Sequence, residues 1–135
     1  MISKVILSAS GILLFVVGAI VNFMPQETAG LFGLAVTSGT TQLIQLLSAA
    51  WLGVGLLDWF SRENRVGGIY SRPLALANFM LFGVSSASLD RAALKGGALP
   101  MVVAAIVATV FALAYAWLIF FNDPVAKEEK RRKSA

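Results

Sequence analysis

The chain contains no cysteine and no histidine. Their absence excludes disulfides, thiol redox chemistry, thiolate zinc sites and histidine-ligated haem together. Charge is scarce too: only 13% of the 135 residues are Asp, Glu, Lys or Arg, and they avoid long stretches of the chain. The four prolines, at 25, 73, 100 and 124, fall at the edges of hydrophobic runs. Nucleotide chemistry finds no support either. Gly53-Val54-Gly55 lacks the third glycine and the strand-to-helix setting that a dinucleotide fingerprint requires.

Hydrophobic residues make up 58% of the chain, and they come in blocks. Val5–Phe23 and Met101–Phe121 carry no charge, and both approach the ~20 residues a helix needs to cross ~30 Å of hydrocarbon. Leu43–Phe60 is interrupted only by Asp58, and Pro73–Leu89 is uncharged but short. The expected fold is all-α: a polytopic membrane bundle of four transmembrane helices, with spans at 5–23, 41–60, 73–89 and 101–121. The rival has three spans, with the third run re-entrant or interfacial. The first run is too long for a signal-peptide core and lacks a small-x-small cleavage site, so it reads as a retained helix.

Orientation follows from the flanking cations. With four spans, the N-terminus, the 61–72 loop and the C-terminal tail share one side. They hold Lys4, Arg62, Arg65, Arg72, Lys127, Lys130, Arg131, Arg132 and Lys133, against Arg91 and Lys95 opposite. That asymmetry places both termini in the cytoplasm. Residues 1–124 form the membrane domain and 125–135 a basic tail that sets topology and meets anionic lipid rather than nucleic acid.

The connections carry their own signals. Pro25 should stop the first helix, and the apolar pairs Leu31-Phe32 and Leu34-Ala35 predict a short interfacial helix. The Thr37–Thr41 stretch can then cap the second span. Gly67-Gly68 suits a turn and Pro73 a first helical position. Trp59, Phe60, Tyr70, Trp117, Phe120 and Phe121 form an aromatic belt at the inner boundary.

Small residues at helical spacing let backbones approach in lipid, where association rests on close packing and polar contacts. Ala104, Ala108, Ala112 and Ala116 recur every four residues in the last run. Gly11 and Gly18 stripe the first, and Ala49 and Gly53 are four apart in the second. These stripes predict packing within the bundle or a seam with a partner.

Asp58 is the one ionisable residue inside the strongly apolar stretches, which makes it a functional candidate by default. Arg62, one turn on, offers an i,i+4 pair. Asn78 falls at a comparable depth and is expected to hydrogen-bond Asp58 or a backbone carbonyl. Toward the outer side lie Asn22, Gln42, Gln45, Ser85, Ser86 and Ser88, with Glu27 and Asp90 at the rim. They form either a polar pocket or ordinary interhelical bonds.

Taken with the first-span proline, the turn Leu31-Phe32-Gly33-Leu34, the segment Ala50-Trp51-Leu52-Gly53-Val54-Gly55 and the basic loop give a layout with a precedent. It resembles small four-helix bacterial integral membrane proteins of unknown function, loosely similar to the fungal ergosterol-biosynthesis scaffold. The resemblance implies a scaffold or accessory role and supplies no catalytic residue. Small multidrug-resistance exporters share the size but need an acidic residue in the first helix, which Val5–Phe23 lacks.

The expected function is therefore that of a non-enzymatic accessory or scaffold subunit of the bacterial inner membrane. Its partners would be lipids, other membrane subunits or copies of itself, and not nucleic acid. The alternative is a small transporter or channel using Asp58 and the outer polar cluster. No cofactor is predicted, and binding of a lipid, quinone or pigment is left open.

Overall fold

A computed structural model describes residues 2–63, 71–121 and 124–135. The regular structure among these residues is entirely helical: α1 (Ile2–Phe23), α2 (Pro25–Leu31), α3 (Ser38–Ser61), α4 (Ser71–Leu94), α5 (Leu99–Phe120) and α6 (Pro124–Lys133). Each apolar run falls on one long helix of 22 or 24 residues, or about 33–36 Å at the standard rise, with only Phe121 lying just past the end of its helix. Three of them, α1, α3 and α5, are long and apolar enough to cross a membrane. This is the composition of an integral membrane protein. Helix α4 matches them in length, but Ser85, Ser86, Ser88, Asp90 and Arg91 dilute its apolar content.

The boundaries differ from the expected ones where proline and glycine act. Pro25 does not merely end α1; after a break at Met24 it opens α2. Its missing N–H falls in a first turn, where no intrahelical partner exists anyway. The short helix thus lies earlier than the Leu31–Ala35 pairs suggested, and Gly33 turns the chain behind it at φ +70°. Thr37 caps α3 as expected, its Oγ1 accepting the Thr40 N–H at 3.1 Å. Helix α4 starts two residues before Pro73, which occupies the first turn rather than the first position. The basic tail is itself helical, with Lys130, Arg131, Arg132 and Lys133 in the last turn, where the helix dipole favours them. Arg65, the Gly67-Gly68 turn and Tyr70 lie outside the described residues.

The long helices pair as two hairpins, α1 with α3 and α4 with α5, and these pairs hold most tertiary contacts. Cross-helix bonds show the directions. Ser10 early in α1, Asp58 late in α3, Asn78 early in α4 and Tyr115 late in α5 meet at one level. The chain therefore runs up, down, up and down, and that level is nearer the end carrying the N-terminus. Between the hairpins, Leu7 and Leu14 of α1 form one apolar core with Ala75 and Phe82 of α4 and Ala108, Ala112, Tyr115 and Leu118 of α5. Phe82 stacks on Phe111 at 4.9 Å and on Tyr115 at 6.0 Å between centroids.

Helix α3 contributes differently: its buried residues are Ser48, Gly55 and Asp58. It reaches α1 by backbone approach. A Cβ on Gly55 would lie 2.8 Å from the Phe15 nitrogen, and one on Gly11 would lie 3.0 Å from the Gly55 oxygen. Gly18 packs similarly against Ser48 and Leu52. Of the expected stripes, Gly11, Gly18, Ala108 and Ala112 are buried, with Ala104 and Ala116 flanking at partial exposure. The α3 pair is not: Ala49 and Gly53 are exposed, and nothing lies within 4 Å of a Cβ at Gly53. Small residues do form the contact, but the face of α3 that meets α1 passes through Ser48 and Gly55, seven residues apart, and not through the expected i,i+4 pair.

Substitution tests this reading of the seam. Gly55→Ala should destabilise the solubilised protein by about 1–3 kcal/mol, the usual cost of overpacking. Gly53→Ala should be neutral or stabilise by up to ~1 kcal/mol, since alanine is the better helix former. Denaturant unfolding monitored by circular dichroism reads both.

Candidate functional site

Four residues, one from each long helix, meet at the level nearer the N-terminus: Ser10, Asp58, Asn78 and Tyr115. All four are fully buried. Asp58 lies three residues from the end of α3, about 5 Å along the axis. Ser10 Oγ donates to Asp58 Oδ2 at 2.7 Å and Asn78 Nδ2 donates to Oδ1 at 2.5 Å. Tyr115 OH lies 2.6 Å from Ser10 Oγ and 3.4 Å from Asp58 Oδ2.

A hydroxyl has one proton to give. The assignment that uses each once runs from the Tyr115 hydroxyl to Ser10 Oγ, then from Ser10 to the carboxylate. Asn78 approaches the other carboxylate oxygen and gives its second N–H to the Leu74 carbonyl at 3.2 Å. A buried carboxylate without such donors would be costly. Here every donor is neutral, because among the described residues no lysine or arginine pairs with Asp58. One acceptor is left over: Asn78 Oδ1 is buried without a hydrogen-bond partner.

The expected Asp58–Asn78 bond is present. The i,i+4 pair with Arg62 is not, because Asp58 points into the bundle and Arg62 out of it. Arg62 Nη1 donates to the Trp59 carbonyl at 2.6 Å, and its guanidinium lies 3.9 Å from the Trp59 ring centroid. Beside it, Lys4 bridges to Glu63 at 2.7 Å. That contact holds the Glu63 carboxyl below the usual glutamate range, so the bridge persists at pH values where a free glutamate is protonated.

The outer polar residues do not converge. Asn22 accepts from Ser48 at 3.2 Å and ties α1 to α3. Asp90 accepts from Thr109 at 3.2 Å and ties α4 to α5. Ser86 bonds back to the Gly83 carbonyl of its own helix, and Gln42, Gln45, Glu27 and Ser88 are exposed. The space between the hairpins at this end is instead an apolar cleft of about 550 Å³, lined from all four long helices by residues such as Leu14, Trp51, Phe82 and Val103, with Ser85 its one hydroxyl. Of the two expected alternatives the structure holds ordinary interhelical bonds, as two separate ties, one inside each hairpin.

Ser10, Tyr115, Ser48 and Thr109 are the partners that sequence reasoning missed. Ser10 had a usable signal, since it adjoins Gly11 on the same face as Gly18. Tyr115 stands two residues before Trp117 of the aromatic belt and was legible as a hydroxyl near the depth of Asp58. Comparison with protein-family models, curated proteins and solved structures gives no match.

The network predicts a graded loss. Tyr115→Phe should cost about 0.6 kcal/mol, the average for an interhelical bond in a membrane protein. Asp58→Ala removes the shared acceptor and should cost about 2 kcal/mol or more, since it strands several buried donors. Arg62→Gln should change stability by less than ~0.5 kcal/mol. Unfolding curves in detergent measure all three.

Proposed function

We propose that this chain is a non-enzymatic, four-span subunit of a bacterial inner membrane, acting as an accessory or scaffold through helix–helix and lipid contacts. The observation that carries the reading is where the buried polar groups go. Ser10, Ser48, Asp58 and Asn78 bond to one another, to Tyr115 or Asn22, or to their own backbone. They hold helices in register. Outside, all four long helices present large apolar side chains, among them Leu43, Phe60, Met80 and Leu113, ready for lipid or another helix. Helix α4 is read as the fourth span because it pairs with α5 and equals the others in length. Both termini are read as cytoplasmic from the nine cations against two.

Gentle extraction followed by mass spectrometry tests this. The expected result is a stoichiometric membrane-protein partner, lost with substitutions of exposed apolar residues that leave the fold intact. A chain that purifies alone or only with itself would argue against an accessory role.

A second reading is favoured by one atom. The orphaned Asn78 Oδ1 is an unused acceptor beside the Asp58 carboxylate, the donor set that a proton or cation site in a small transporter needs. That reading predicts that Asp58→Asn abolishes dissipation of an ion or pH gradient in liposomes. Equal leak with and without the substitution would remove Asp58 from any transport path.

A further inference from the structure

The α1–α3 seam has an outer side as well as a buried one. Where Gly11 and Gly55 bring the two backbones together, the helices leave an apolar valley of about 300 Å³, lined by Gly11, Ile12, Phe15, Val16, Gly55, Leu56 and Trp59. Its apolar walls are substantially exposed. On α1 the valley continues along the stripe Phe15, Ile12, Ser8 and Lys4; on the other side it runs along Leu56 and Trp59 of α3 to Glu63 in the turn just beyond that helix. It therefore ends in charge. Lys4 bridges to Glu63 across the valley's end, and Arg62 lies over the Trp59 ring with its Nε 3.8 Å from the same carboxylate. Two cations share one anion there, leaving a net charge of +1.

We propose that this valley is a binding site for an anionic phospholipid, with a segment of acyl chain against Ile12, Phe15, Leu56 and Trp59 and the phosphate at Lys4 and Arg62. The inference goes beyond the accessory role and rests on the membrane reading. Charge complementarity selects this occupant. A partner helix would fill the apolar wall but leave the cationic end unmatched, whereas a phosphodiester supplies one negative charge at that end. The guanidinium has five N–H donors, more than its contacts to Trp59 and Glu63 occupy. The tryptophan ring, apolar on its valley side and covered by a cation, sits where such rings mark the headgroup level. Glu63 has a definite part: it holds the two cations together and competes with the phosphate for them.

The test uses the full chain with Trp51→Phe and Trp117→Phe, so that Trp59 is the sole tryptophan reporter in vesicles. Its fluorescence is quenched with chain-brominated phosphatidylglycerol or phosphatidylcholine. The expected result is a roughly fivefold preference for the anionic lipid, the weight of one basic charge near a membrane surface. Lys4→Gln and Arg62→Gln should each reduce that preference, and Glu63→Gln should increase it. Lys130→Gln with Arg131→Gln, in the tail, should leave it unchanged. Equal quenching by both lipids would overturn the proposal. So would a preference that follows the tail substitutions and ignores Lys4. A chain that fails to enter vesicles of either lipid would overturn the membrane reading and the site with it.

Discussion

One buried carboxylate organises this molecule. Asp58 receives Ser10 from its own hairpin and Asn78 from the other, while Tyr115 closes the ring through Ser10. Within each hairpin, packing along the helices suffices. Between the hairpins the fully buried apolar residues come two from α1 and six from α4 and α5, with Trp51 and Val54 of α3 packed against them at partial exposure. In lipid such a core gains little from excluding hydrocarbon, because the surrounding tails are as apolar as leucine. Polar contacts then carry a larger share of specificity, and the four-residue cluster is the polar tie found between hairpins among the described residues.

The arrangement divides the bundle into layers. The level nearer the N-terminus is tied across all four helices by the Asp58 cluster. The opposite level is tied only within each hairpin, by Asn22 with Ser48 and by Asp90 with Thr109, and there the hairpins part around an apolar cleft. The seam between α1 and α3 follows a different rule. Glycine at positions 11 and 55 removes side chains on both sides, so backbones touch on the inner face and a valley remains on the outer one. The same two glycines thus account for a stable hairpin and for a lipid-sized surface feature ending in Lys4 and Arg62.

Much of the architecture was legible because hydrophobic length is a direct consequence of crossing hydrocarbon. The four long helices, the Thr37 cap and the Asp58–Asn78 bond follow from run length, hydroxyl placement and shared depth. The face of α3 was not legible. Ala49 with Gly53 and Ser48 with Gly55 are both small-residue spacings, and only the partner helix decides between them. Local spacing offered Arg62 to Asp58 and shared depth offered Asn78, but the Ser10 and Tyr115 hydroxyls come from helices that a linear reading could not place beside it. The outer polar residues were read as one group because depth alone relates them. Rotation about each helix separates them, and rotation is set by packing.

The central claim is that Asp58 fixes the two hairpins relative to each other. The absence of native cysteine allows clean spin-label pairs at exposed positions: Val16 with Leu113 across the hairpins, and Val16 with Leu57 inside the first. Pulsed dipolar spectroscopy on the Asp58→Ala protein is the direct test. The account predicts that the Val16–Leu113 distance distribution broadens while the Val16–Leu57 distribution keeps its native width. A Val16–Leu113 distribution identical to that of the native protein would contradict it.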